Sequence, residues 1–252
     1  MRFTHLIYLL YFLVFLNCKK DKFELTKIEG HQIQITDTLK TDQSIEDYVK
    51  PYRDHIQKDL DSVLAYASNT YSKTDSKLNT AIGNFMADVA YEQANPVFLK
   101  RSGHNIDMVL LNFGGIRSIL PKGKISKGTA FKLMPFENSI VVAAIKGTQV
   151  NQLVDYLVKA KTAHPISKLQ IIINTDGQLV DAKINGKNID PNKTYYVATN
   201  DYLYEGGDHM TFFKPSDSLY RLNYKIRNTL IDYFMKVDTV NPVQDNRFIQ
   251  IK

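Results

Sequence analysis

Two short stretches concentrate the residue types that can hold a small ligand: Leu111-Asn112-Phe113-Gly114-Gly115-Ile116-Arg117 and Asn200-Asp201-Tyr202-Leu203-Tyr204-Glu205-Gly206-Gly207-Asp208. Each sets a glycine doublet beside a polar or charged residue, just beyond an apolar, strand-like run. Glycine carries no Cβ, so backbone and one committed side chain can approach a ligand closely there. As a carboxylate, Asp208 is acceptor-only and can take both hydroxyls of a ribose in a bidentate pair; the competing reading is a turn aspartate. Asn112 offers both donor and acceptor to the polar edge of a base, or else is a strand-end asparagine bonded to its own backbone. Arg117 presents a planar fork of donors suited to phosphate or sugar oxygens, or else is a surface arginine. Phe136 and Tyr202 stand beside loop signals, where two facing rings would clamp a nucleobase. Base stacking on an aromatic is worth roughly 1–3 kcal/mol and tolerates different bases. Core packing is the alternative for either ring.

These residues need rigid elements behind them. Ile45, Val49, Tyr52, Ile56, Leu60 and Val63 recur at helical spacing, predicting an amphipathic helix over Ser44 to Tyr66 capped by Ser44. A second helix is expected over Thr80 to Gln93, with Ile82, Phe85, Met86 and Val89 on one face. Asp107 to Asn112 and Ser139 to Lys146 read as buried strands, and Gly147 opens a helix striped by Val150, Leu153, Val154, Leu157 and Val158. Strand-like runs follow over Leu169 to Asn174, Leu179 to Ile184 and Thr194 to Thr199, punctuated by the turn signals Asp176-Gly177 and Asn185-Gly186. Leu222, Ile226, Leu230 and Phe234 predict a closing amphipathic helix before a short tail, Arg247 to Ile251. The pattern is α/β with mixed sheets sandwiched by helices in one domain, residues 44–252, preceded by a helix and an N-terminal tether.

The chain has 252 residues, 44% hydrophobic and 23% charged, enough for a sizeable core. Its net charge of +6 is dispersed, and no dense basic stripe interleaved with aromatics argues for a nucleic-acid partner. Arg2 and His5 precede an apolar run from Leu6 to Leu16, too short to span a membrane comfortably, so residues 1–17 read as a secretory signal peptide. Cys18 is the only cysteine, which excludes a disulfide within the chain. Its place directly after the apolar run resembles the lipid-attachment site of bacterial lipoproteins, with Asn17 where a smaller residue is usual. Residues 18–43 are then a lipidated N-terminus and linker, with one short strand expected over Gln32 to Thr36. That predicts an exported protein anchored in the bacterial cell envelope; the alternative is a general secretory leader with an incidental cysteine.

From about Ser72 to Ile251 the chain resembles the C-terminal, substrate-binding domain of the 5'-nucleotidase and UDP-sugar hydrolase family. The resemblance rests on Ile82-Gly83-Asn84, Leu111 to Ser118, Pro135-Phe136-Glu137-Asn138, Lys146-Gly147, Ile184-Asn185-Gly186-Lys187, Asp190 to Asp208 and Arg247-Phe248-Ile249. It implies a nucleotide or nucleoside ligand, with the base between Phe136 and Tyr202 and in contact with Asn112, and the ribose at Asp208. Gly114, Gly115 and Asn138 lie in the same motifs, and Arg117 falls on the ribose–phosphate side. The family carries arginines on that side where this chain has Ser72 and Ser76; Lys73 and Lys77 are one step out of register. Lys168 stands where the family often has glycine.

Family catalysis resides in a metallophosphoesterase domain with two divalent metals, and there is no room for that domain ahead of residue 44. The six histidines never come closer than 24 positions, and Gly103-His104-Asn105 reads as a loop. No nucleophile elbow or phosphate-cradling Gly-Lys-Ser loop appears. No cofactor is therefore expected in this chain, and the metals are expected only in a partner. Two functions compete, the recognition subunit of a split 5'-nucleotidase served by a metallophosphoesterase subunit and a non-catalytic envelope lipoprotein that captures nucleosides or nucleotides; a structural third option keeps the fold with a dead pocket and is supported only by Ser72, Ser76 and Lys168.

Overall fold

The computed structural model describes residues 24–251. The leader and Cys18 lie outside the described residues. Residues 24–48 and residues 49–251 fall into two separate units. In the first, Gln32 to Thr36 form no strand, and Ile33 and Ile35 are exposed. Nothing in that segment pairs with a second strand, so its β-branched residues are not enough to make one.

Helix α1 (Gln43–Leu60) begins where the Asp42 carboxylate accepts from the N–H groups of Ser44 (2.9 Å) and Ile45 (3.4 Å). Asp42, not Ser44, therefore supplies the cap. The helix also stops earlier than its apolar spacing predicts. Val63 and Tyr66 belong to strand β1 (Val63–Ala67), which buries Ala65 and Ala67 by two-residue alternation. No residue of α1 is buried.

Helix α2 (Ala81–Ser102) is capped by Thr80, whose hydroxyl accepts from Gly83 N–H, and it runs through Pro96 well past Gln93. Strand β2 (Met108–Leu110) follows, then β3 (Gly123–Ser126), α3 (Lys127–Leu133), β4 (Ser139–Lys146) and α4 (Gly147–Ala160). The next strands are β5 (Ile166–Ser167), β6 (Leu169–Ile173), β7 (Leu179–Ile184), β8 (Lys187–Asn188) and β9 (Thr194–Asn200). The short α5 (Asp201–Tyr204), β10 (Ser218–Lys225), α6 (Ile226–Phe234), β11 (Thr239–Val240) and β12 (Phe248–Gln250) complete the chain. Leu222 thus lies in a strand rather than in the closing helix. Its four-residue spacing from Ile226 crosses an element boundary, and both side chains still reach one core.

The central sheet has the order β10-β4-β9-β2-β5, flanked by a three-stranded sheet β11-β1-β3 and a four-stranded sheet β12-β6-β7-β8. Successive residues of β2 enter different cores. Val109 packs with Ile82, Phe85 and Phe234 on one side, whereas Met108 and Leu110 pack with Leu153, Leu157 and Ile171 on the other. A strand buried on both faces reads as a continuous apolar run, which is why β2 and β4 lack alternation. The β7–β8 hairpin turns on Asn185 (φ 50°) and Gly186 (φ 74°), as the Asn-Gly pair predicts.

Candidate functional site

Strand direction brings the two glycine-doublet stretches together. β2 and β9 are parallel neighbours, with Val109 opposite Ala198, so the segments leaving them emerge at one edge. β4 runs antiparallel to β9 with Ile140 opposite Asn200, which places the loop before β4 at that same edge. Asn112, Gly114, Arg117, Phe136, Asn138, Tyr202 and Asp208 line one pocket of about 310 Å³ there. This is the small end of the usual ligand-pocket range of roughly 300–1,000 Å³. Gly115, the remaining residue singled out from the sequence, is buried beneath it. A Cβ on Gly115 would stand 3.0 Å from Asn112 Oδ1, so its bare backbone leaves room for the Asn112 amide.

Phe136 and Tyr202 are 41% and 45% exposed, which excludes the core-packing alternative for both rings. The Arg117 guanidinium lies 5.7 Å from the Phe136 ring centre, and its Nη1 donates to the Gly114 carbonyl at 3.3 Å. Tyr202 does more than present a ring. Its hydroxyl donates to Asp208 Oδ1 at 2.8 Å and accepts from the Asp208 N–H at 3.3 Å. The bond to Asp208 holds the phenol proton and raises the Tyr202 pKa. Its ring rests on Gly207, where a Cβ would come within 2.5 Å of Cε1 and Cζ. Gly206 turns the chain at φ 99°, a conformation open to glycine, and Asp208 follows at φ 52°.

Asn112 differs from its expected two-sided role. Its Oδ1 accepts from Asn200 Nδ2 at 3.0 Å, so the acceptor half of the amide is used within the protein. Asn200, the last residue of β9, caps α5 by accepting the Leu203 N–H at 2.7 Å. The strand-end alternative for Asn112 is thus replaced by a side-chain bond to the last residue of β9.

Several residues around the pocket escaped the sequence reading. Arg227 is buried, donates to the Pro135 carbonyl at 3.2 Å and the Phe136 carbonyl at 3.4 Å, and pairs with Glu137. It therefore fixes the backbone that carries Phe136. The available signal was a charge on the buried stripe of α6, three residues before Leu230 and seven before Phe234. Lys225 also bonds Glu137, and these two partners, Lys225 first, hold the Glu137 carboxyl down to about 2. His164 is buried behind the pocket, and its Nδ1 accepts the Phe113 N–H at 3.2 Å. Burial lowers its pKa, against opposing contributions from Leu111 and Asp208. Tyr156 donates to the Asp208 carbonyl at 2.9 Å.

Ser72 and Ser76 are not among the lining residues. Ser72 Oγ pairs with Thr74 Oγ1 at 2.9 Å, and Ser76 Oγ accepts from Gln244 Nε2 at 3.1 Å. Lys73 instead places its ammonium 4.5 Å from the Phe113 ring centre. Partial burial, and then the positive charge of Arg117, lower its pKa. Lys168 adopts φ 65°, which gives a backbone reason for glycine there, and its ammonium lies over Tyr91.

Among the described residues, no group of three or more His, Cys, Asp or Glu side chains could hold a metal ion. No helix among the described residues is long and apolar enough to cross a membrane.

A family model for the 5'-nucleotidase C-terminal domain matches residues 57–215. Protein UshA of Yersinia enterocolitica is 28% identical over 207 residues, covering 79% of this chain and 35% of that protein. The 5'-nucleotidase of Vibrio cholerae is 23% identical over 248 residues, covering 94% of this chain and 41% of its own length. The crystal structure of a 5'-nucleotidase precursor from Thermus thermophilus shares the fold, with a TM-score of 0.68 and 20% identity over 83% of this chain and 42% of that one. The chain spans less than half the length of each of these proteins.

Proposed function

Because the chain belongs to the family of 5'-nucleotidase C-terminal domains, we propose that it is the nucleotide-recognition subunit of a split 5'-nucleotidase. The observation that carries this reading is the pocket itself. Two half-exposed rings, an amide, a guanidinium and an acceptor-only carboxylate converge on a volume of about 310 Å³. Phe136 and Tyr202 hold the base, Asp208 takes the ribose hydroxyls, and Asn112 meets the base edge. Gly114 lets the backbone approach, Gly115 beneath it leaves room for the Asn112 amide, Asn138 closes the rim, and Arg117 faces the phosphate. Arg117 lines the pocket, and its planar fork of donors suits phosphate oxygens. This favours a nucleotide over a nucleoside even with serines at positions 72 and 76.

Hydrolysis of the phosphate ester is assigned to a separate metallophosphoesterase chain. This chain matches the family's C-terminal domain over residues 57–215, and the resemblance places catalysis in the other half of the family's proteins. Export and lipid attachment at Cys18 would place this subunit in the cell envelope, with residues 18–43 as its tether. Radiolabelled palmitate should enter the wild-type chain and not Cys18→Ser; equal labelling of both would remove the anchor from the account.

The deciding assay mixes the purified chain with a metallophosphoesterase that itself lacks a recognition domain and follows phosphate release from adenosine 5'-monophosphate. Release by the mixture and by neither chain alone is expected. Binding without any release in the mixture supports the second reading, a non-catalytic lipoprotein that captures nucleosides or nucleotides, for which Ser72 and Ser76 are the specific observation.

A further inference from the structure

We infer that Asn200 fixes the hydrogen-bond polarity of the pocket, so that Asn112 presents only donors to the ligand and the base must turn an acceptor ring nitrogen toward it. The inference rests on the reading of the pocket as a nucleobase site and adds a rule for what that site accepts.

The chain of bonds starts from a group whose role cannot change. A backbone N–H is always a donor, and the Leu203 N–H donates to Asn200 Oδ1 at 2.7 Å. That bond commits Asn200 Oδ1 as acceptor and leaves its Nδ2 as the end that reaches Asn112. Asn200 Nδ2 can only donate, and it does so to Asn112 Oδ1 at 3.0 Å. Asn112 Nδ2 is then turned to the other side. It lies 3.6 Å from where a Cβ on the pocket-lining Gly114 would stand, whereas Oδ1 lies beside the buried Gly115.

Asn200 is fully buried, so solvent does not reach its own amide, and its bond to Leu203 is buried throughout. Turning the Asn112 amide over would set its Nδ2 against the buried Asn200 Nδ2, donor against donor. The first turn of α5 therefore dictates, through two amides, which atom the ligand meets. Asn200 is a positioning residue for base selection.

The test is calorimetric titration with adenosine 5'-monophosphate and its 1-, 3- and 7-deaza analogues, each of which replaces one acceptor nitrogen by C–H. The wild type should bind one of the three about tenfold more weakly than the parent, the loss of one hydrogen bond to a donor left unpaired. Asn200→Asp still caps Leu203 but now needs a donor from Asn112, which turns the Asn112 oxygen into the pocket. In that variant the penalty on the discriminating analogue should disappear. Asn112→Asp keeps the bond from Asn200 and also faces an oxygen to the ligand, so it should lose the same penalty. It decides the question if Asn200→Asp does not fold. Equal binding of all three analogues by the wild type overturns the inference. So does a tenfold penalty that persists in a folded Asn200→Asp, or in Asn112→Asp. A wild type that binds no nucleotide at all defeats the nucleobase reading itself, a result distinct from binding without discrimination.

Discussion

Replacing Gly207 by alanine places a Cβ 2.5 Å from Tyr202 Cε1 and Cζ and 2.7 Å from Cδ1. Carbon atoms sit at about 3.5–4.0 Å when in contact, so the ring must retreat by roughly 1 Å or swing aside. Either movement breaks the 2.8 Å bond from the Tyr202 hydroxyl to Asp208 and removes one wall of the pocket. The loss is one base stack, about 1–3 kcal/mol, which corresponds to roughly 5- to 150-fold in affinity. The fold should hardly notice, because Tyr202 is 45% exposed and can move into solvent. Calorimetric titration with adenosine 5'-monophosphate reads the affinity, and a melting curve reads the fold. The expected pair of results is weaker binding with a midpoint within roughly 2 °C of wild type, equivalent to less than about 1 kcal/mol. Unchanged affinity would show that Tyr202 is not a wall of the binding site, and the clamp would fail with it.

Asp208→Ala should bind ribose and 2'-deoxyribose nucleotides alike, whereas the wild type should prefer ribose; a wild type indifferent to the 2'-hydroxyl would refute the role given to Asp208. Glu137 is held down to about 2 from its ordinary 4.5 by Lys225 and Arg227. A depressed carboxyl stabilises the fold above its unfolded pKa and loses that contribution as pH falls through the folded one. Wild-type and Glu137→Gln melting midpoints should therefore differ at neutral pH and converge between pH 4.5 and about 2; a constant gap would contradict the pairing. A Cβ on Gly147 would lie 1.9 Å from the Asp190 carbonyl oxygen, a backbone atom that cannot step aside. Gly147→Ala should cost about 3 kcal/mol, or roughly 2–4 °C of melting temperature for each kcal/mol, and a midpoint unchanged from wild type would show that the close approach is absent.

The residues that line the pocket were legible because their types are unusual for their places: glycine doublets beside a carboxylate, rings next to turn signals. Local order was legible wherever the signal was local. β4 ends where its apolar run ends, and the Asn185-Gly186 hairpin follows from two residues that tolerate positive φ. Two of the misplaced boundaries share one cause, an apolar spacing that carries over from one element into the next. Leu60 and Val63 keep helical spacing across the break at Asp61-Ser62, and Leu222 keeps it across the β10–α6 junction. Long-range partners were illegible. Nothing local in Asn112 announces Asn200, which lies 88 residues away; only the parallel pairing of β2 with β9 sets them side by side. Arg227 and Glu137, 90 residues apart, meet for a similar reason.

The central claim, that this pocket holds a nucleotide by its base, is tested most directly by titrating adenosine 5'-monophosphate into the wild-type chain and into Phe136→Ala. The account predicts saturable one-to-one binding by the wild type, weakened by about 5- to 150-fold when the Phe136 ring is removed. Absence of binding by the wild type, or equal affinity in the two proteins, would contradict it.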